Sequence, residues 1–407
     1  MNKTTLRRYA RLIARVGAGV QKGQPVNIFC QLDQPEFITM LTDECYKAGA
    51  SEVEVNFSHE PLQKLHTRYA SLKTLSTLKE WEKARLQHTV DTLPCRILIL
   101  SEDPDGLKGI KMEKYTKWQQ ARIAAIKPYR SQRDGKEQWC IAAVPGKAWA
   151  KKVFPELRPA AAVEALWKAI LTASRVTEDP EQAWAEHNAT MKEKCKILND
   201  LHLKSLHYTA SNGTDFTVGM IPEAHFCAGK EVTLSGKPFN PNIPSEECFI
   251  SPKKGEAEGI VYSAKPLVWD GQIMDKFWLK FHEGKVVDCG AEVGEDLLKK
   301  LIAMDEGAAY LGECALVPWE SPINQTGILF YNTLFDENAC CHLALGRGFY
   351  DTIENCHERT QEEMHELGVN DSIIHEDFMI GTEDLSIDGI TRDGKTVAIF
   401  RNGTWAI

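Results

Sequence analysis

Pro25-Val-Asn-Ile-Phe-Cys30, a helix-forming stretch from Glu36 to Ala48 closed by Gly49, and Val53-Glu-Val-Asn-Phe57 follow one another without a long break. The first and last are short, apolar and rich in strand formers, and the middle one carries helical periodicity. Arg96-Ile-Leu-Ile-Leu100 and Trp139-Cys-Ile-Ala-Ala-Val144 repeat the strand signal farther on. Strands separated by helices of this length predict βαβ units and a mostly parallel, Rossmann-like sheet layer.

Upstream, the first 30 residues lack Asp and Glu and carry Lys3, Arg7, Arg8, Arg11, Arg15 and Lys22, which superficially resembles a transit peptide. Leu6, Tyr9, Leu12, Ile13, Val16 and Val20 nevertheless form a helical stripe leading straight into the first strand, as the first helix of a folded domain would. Gly17, Gly19 and Gly23 precede that strand. A phosphate-cradling glycine loop must follow a strand and open a helix, so their expected task is to end the helix, and no dinucleotide site is predicted.

Downstream, residues 160 to 205 read as helical, with Pro180 near a new helix start. After Leu206 short strands and turns take over, punctuated by Asn212-Gly213, Asp270-Gly271, Glu283-Gly284, Asp393-Gly394 and Asn402-Gly403. The expectation is two domains: an α/β domain over residues 1–200 and a mixed, strand-rich α+β domain over residues 201–407.

The 407 residues are 43% hydrophobic and 26% charged, the balance of a globular protein. A net charge of -9 argues against nucleic acid as a partner. No apolar run approaches the roughly 18 residues that span a bilayer, so no membrane partner is expected. Twelve cysteines without a Cys-x-x-Cys pair fit reduced thiols in a cytoplasm. Neither a Gly-x-Ser-x-Gly elbow nor a phosphate-binding loop is present, and His357-Glu358 lacks the second histidine of a His-Glu-x-x-His helix. His357, Glu358, Glu362 and His365 read as a solvated helix face, and Cys340 and Cys341 as packing residues.

Four segments of the second half place metal-capable side chains in apolar runs: Asn242-Ile-Pro-Ser-Glu-Glu247-Cys-Phe-Ile250, Leu311-Gly-Glu313-Cys-Ala-Leu-Val-Pro318, Ala339-Cys-Cys-His342-Leu-Ala-Leu345 and His375-Glu-Asp377-Phe-Met-Ile-Gly381. Burying an unpaired charge costs several kcal/mol, so each such group needs a partner. In an extended His375-Glu376-Asp377, the first and third side chains share a face. Three carboxylates (Glu247, Glu313, Asp377) and two imidazoles (His342, His375) suit two divalent ions, which can share and acidify a water and polarise a carbonyl. Amide or ester hydrolysis is the natural reaction.

In order and wording, these segments resemble the dinuclear metallo-aminopeptidases of the aminopeptidase T and aminopeptidase S type. Asp388-Gly389 and Arg401-Asn-Gly-Thr-Trp405 extend the match, as do Gln24-Pro-Val-Asn-Ile28, Tyr46-Lys-Ala-Gly-Ala50, Trp184 to Thr190 and Asn212-Gly-Thr-Asp215, so it covers nearly the whole chain. The resemblance implies Glu247, Glu313, His342, His375 and Asp377 as ligands of two divalent ions, zinc first, with cobalt, manganese or magnesium as alternatives. It also implies a cytoplasmic homodimer that removes N-terminal residues from peptides with a free amine, through attack of a metal-bridging hydroxide on the first peptide carbonyl. Either Glu313 or Glu247 could bridge the metals.

The family often has Gly where this chain has Glu246, which makes Glu246 a candidate general base rather than a ligand. Where the family usually has a tyrosine seven residues after the ligand histidine, this chain has Phe349, followed by Tyr350. Either a bulge lets Tyr350 serve the oxyanion, or that hydroxyl is missing. The alternatives to an aminopeptidase are another metal-dependent amidase or esterase acting on small molecules, and a catalytically impaired metal-binding scaffold.

Overall fold

Strands form where the apolar runs predict them. Pro25–Gln31 and Glu52–Ser58 flank the helix Pro35–Ala48, and Val26 lies opposite both Val53 and Cys95 in a parallel register. Pro35 fits the first helical turn, where its missing N–H is not needed. Gly49 ends the helix with φ of 111°, and a Cβ there would lie 2.9 Å from the Lys22 Cα.

A computed structural model gives the chain's structure, describing residues 1–269 and 271–407. Two compact units emerge: residues 1–185 with 230–244, and residues 186–229 with 245–407. The first contains a five-stranded sheet ordered Asn242–Ile243, Trp139–Ala143, Cys95–Leu100, Pro25–Gln31, Glu52–Ser58, with every neighbouring pair parallel. The expected Rossmann-like layer is therefore present.

The N-terminal helix Lys3–Leu12 is capped by the Asn2 side chain and runs into a π turn over Ile13–Gly17. Tyr9, Leu12 and Ile13 are buried, and the Tyr9 hydroxyl donates to the Ala143 carbonyl at 3.0 Å. The basic residues thus ride on a packed helix. Among the described residues no helix is long and apolar enough to cross a membrane.

In the C-terminal half the helix Pro180–Asp200 stops where His202 takes φ of 46°, and the strand Leu203–Thr209 begins a little earlier than the change of texture after Leu206 indicates. It enters a nine-stranded antiparallel sheet through the Asn212-Gly213 turn to Asp215–Met220. His357 and Glu358 lie in a short 3-10 turn and His365 in the separate helix Gln361–Leu367, so the solvated face expected there is split between two elements.

The metal-capable segments reach a second, five-stranded antiparallel sheet, the first of them from Cys248 onward. Its order is His375–Met379, His342–Gly346, Leu311–Leu316, Cys248–Ile250, Cys227–Ala228. Strand alternation splits its two faces. Cys248, Cys314, Leu343, Leu345 and Phe378 join a core with Tyr208, Phe216, Phe277 and Phe281, each large side chain contributing about 1.5–3 kcal/mol by burial. Glu313, His342, His375 and Asp377 point the other way.

One irregularity makes this possible. Leu311 pairs with Leu345 but Glu313 with Ala344, so the strand bulges at Gly312. In a regular strand Glu313 would share the core-facing side of Leu311; the extra residue turns it to the opposite face. A Cβ on Gly312 would meet the Arg347 carbonyl oxygen at 2.3 Å and the Gly346 oxygen at 2.5 Å, and both are backbone atoms that cannot swing aside.

Candidate metal centre

The five residues singled out from sequence converge. His375 Nε2 is 3.0 Å from Glu313 Oε2 and 3.3 Å from Asp377 Oδ1, and His342 Nε2 is 3.4 Å from Glu247 Oε2. They form two triads, Glu247–Glu313–His342 and Glu313–His375–Asp377, each with its donor atoms within 4.8 Å of one another. Glu313 belongs to both. Exposures of 8% for Glu247, 4% for Glu313, 1% for His342 and 7% for Asp377 put these charges away from bulk water.

The β-ladder explains the convergence. Ala315 lies opposite His342 and Ala344 opposite Asp377, so small residues separate the large polar ones and leave room between them. His375 Nδ1 lies 2.6 Å from the Arg347 carbonyl, and His342 Nδ1 lies 3.4 Å from that of Cys340. Carbonyls and carboxylates both only accept, so without an ion each ring is favoured as the imidazolium with protons on Nδ1 and Nε2; an ion taking Nε2 would leave the proton on Nδ1.

Electrostatics describe an assembly short of positive charge. Burial, with the Asp377 and Glu247 charges adding to it and His375 opposing, pushes Glu313 up to about 7. Burial would lower His342, but Glu247, Glu313 and Asp377 outweigh it and raise the ring to about 9. His375 is likewise raised well above its ordinary value against the pull of burial, by Asp377 and Glu313. Burial opposes ionising Asp377, yet His375 holds its carboxyl below the usual range. Among the described residues, His342 Nε2 and Asp377 Oδ1 have ion-pair neighbours at 3.3–3.4 Å but no well-directed hydrogen bond. Orphaned atoms this deep are costly, and carboxylate oxygens with imidazole nitrogens are ligands for zinc, cobalt or manganese. The residues present fit a divalent cation.

A family model for thermophilic metalloproteases (M29) matches residues 2–405. The chain belongs to this family. It is 43% identical over 404 residues to aminopeptidase AmpS of Bacillus subtilis (strain 168), covering 98% of each chain. It is 35% identical to aminopeptidase T of Thermus aquaticus, covering 99% of this chain and 98% of that one. The solved structure of wild-type AmpT from Thermus thermophilus superposes with a TM-score of 0.92 at 33% identity, covering the whole of both chains. The mixed α/β architecture read from the sequence agrees with that match.

Two M29 positions flagged from sequence lie differently. Glu246 is buried, and its backbone N–H donates to Asn338 Oδ1 at 2.7 Å; it belongs to neither triad. Phe349 packs its ring 4.6 Å from that of His375, while the Tyr350 hydroxyl lies 3.1 Å from His365 Nε2. A hydrophobic ring thus adjoins the centre where a hydroxyl was sought.

Glu337 escaped the sequence reading. Burial raises its carboxyl well above the carboxylate range, and Asp377, Glu247 and Glu313 raise it further, so it faces the same assembly. It sits in the polar run Asp336-Glu-Asn338 on a short 3-10 turn, where a glutamate reads as ordinary surface. No local pattern marks it.

Gly312→Ala tests the bulge. The added methyl displaces the Arg347 carbonyl that orients His375, and losing such an orienting contact typically weakens metal binding by about 10–100-fold. Zn²⁺ titration of the folded variant checks this, and an unchanged affinity would show that the bulge does not position Glu313 and His375.

Proposed function

We propose that the chain is a metal-dependent aminopeptidase that releases N-terminal amino acids from peptides, with Glu247, Glu313, His342, His375 and Asp377 holding two divalent ions. The observation that carries this reading is the pair of triads sharing Glu313. One carboxylate common to two ligand sets favours Glu313 over Glu247 as the bridge. Glu337 adds a fourth carboxylate, and four carboxylates balance the charge of two such ions. Zinc suits the mixed oxygen and nitrogen donors; cobalt, manganese and magnesium are the alternatives. Bound there, the ions would activate water near neutral pH and polarise the scissile carbonyl.

The chain's own groups do the rest. With ions bound, the two histidines would be neutral, and their Nδ1–H contacts to backbone carbonyls would orient them. The ring of Phe349 against His375 keeps solvent off that side. Glu337 and Asp377, which border an open cleft, are placed to pair with a substrate ammonium group, and that pairing would select peptides with a free N-terminus. Glu246 is the proposed general base. Tyr350 can serve the oxyanion only after its hydroxyl leaves His365. We assign the protein to the cytoplasm as a homodimer, on the strength of the resemblance and the reduced cysteines, which are all free.

Glu313→Gln and His342→Ala should each lower bound metal below two per chain and reduce turnover of aminoacyl anilides by at least about a hundredfold. Retention of two ions in both variants would sink the ligand assignment. Acylating the substrate amine should abolish turnover, and equal rates on blocked and free substrates would point to a general amidase. Glu246→Gln and Tyr350→Phe separate the remaining roles: each proposed part requires kcat to fall about tenfold or more at unchanged metal content. A rate within twofold of the parent removes that residue from the reaction.

A further inference from the structure

Four of the five metal-capable residues take their places from the sheet. Glu313, His342, His375 and Asp377 each lie opposite a residue of a neighbouring strand, so the ladder fixes their backbone. Glu247 is different. It precedes the strand Cys248–Ile250 at the end of an irregular stretch, and among the described residues no ladder pairing includes it. Ser245, Glu246 and Glu247 are nevertheless buried, so the peptide groups here need partners other than water.

The peptide group between Ser245 and Glu246 finds one on each side. His187, from the helix Pro180–Asp200, places its Nε2 2.7 Å from the Ser245 carbonyl oxygen. A carbonyl only accepts, so the ring donates through Nε2. Asn338 Oδ1 accepts the Glu246 N–H at 2.7 Å. A planar trans peptide points its oxygen and its N–H in opposite directions, so the same unit is gripped from both ends and its tilt is set. Asn338 is itself held: it is fully buried, its Nδ2 donates to the Leu334 carbonyl at 3.2 Å and to Glu337 Oε1 at 3.3 Å, and its own carbonyl accepts the Ser321 hydroxyl at 2.7 Å. An amide does this without adding a charge to an acidic assembly. His187 lies in the stretch Trp184 to Thr190, a part of the family match to which the metal centre gives no task.

Resting on the two-ion reading, we propose that His187 and Asn338 are positioning residues that set the place of Glu247 by clasping the peptide group just before it. The clasp serves one ion and not the other. Glu247 belongs to the triad with Glu313 and His342, where its Oε2 lies 3.4 Å from His342 Nε2, and is absent from the triad of Glu313, His375 and Asp377. Loosening the peptide group therefore weakens the ion on the Glu247 side alone.

His187→Phe, which keeps a ring and removes the donor, His187→Gln, which keeps an N–H donor at a similar reach, and Asn338→Leu are titrated with Zn²⁺ against a chromophoric chelator, with thermal unfolding as the check on folding. The parent should bind two ions. His187→Phe and Asn338→Leu should each hold one ion within about threefold of the parent and weaken the other by about 10–100-fold, the usual effect of losing a contact that orients a ligand. His187→Gln should bring the weakened ion back to within about threefold. Both ions unchanged in His187→Phe, both weakened alike, or a glutamine variant no better than the phenylalanine one overturns the clasp, and the His187 pair decides this even where Asn338→Leu does not fold. A parent that binds fewer than two ions overturns the two-ion reading itself and the clasp with it.

Discussion

Like charge gathered out of water is the constraint on which this structure turns. Burial and the neighbouring Glu247 and Asp377 charges raise the cost of ionising Glu313 and Glu337, and two histidines cannot neutralise four carboxylates. Without a cation the assembly holds protons: Glu313 is driven up to about 7 and His342 to about 9. Such a cluster is tolerated in a folded chain when something of opposite charge binds it.

The scaffold answers with stiffness. Four of the five metal-capable groups are sequence neighbours of a core residue: Glu247 of Cys248, Glu313 of Cys314, His342 of Leu343, Asp377 of Phe378. Alternation makes one sheet bury apolar side chains on one face and present metal-capable ones on the other, so the packing of Phe378 against Phe277, with centroids 5.8 Å apart, also fixes the strand that carries Asp377. Cys340 and Cys341, read from sequence as packing residues, are buried, and so is Cys314. Burial raises Cys314 and Cys341 far above a reactive range.

Much of this was legible in the chain. The βαβ run from Pro25 to Ser58 showed its periods openly, because strand and helix differ in repeat and Gly49 marks the change. The His375-Glu376-Asp377 triplet was legible for the same reason, since a period of two assigns faces without further information. The bulge at Gly312 was not legible: counted straight along its strand, Glu313 falls on the core side with Leu311, and only pairing with Ala344 and Leu345 shows the extra residue. Glu337 was invisible because its surroundings in sequence are polar and its surroundings in space are charged.

By itself, then, the sequence determined the kinds of secondary structure, the parallel character of the first sheet, and the identity of the five side chains that need a common partner, because hydrophobic period and residue chemistry are local properties. Tertiary structure alone decided that Glu313 stands in both triads, that Glu337 feels their charge, and that Phe349 rather than Tyr350 lies against His375. Each of these depends on strand register and on segments far apart in sequence meeting at distances of a few ångströms, and no spacing along one chain encodes such a meeting.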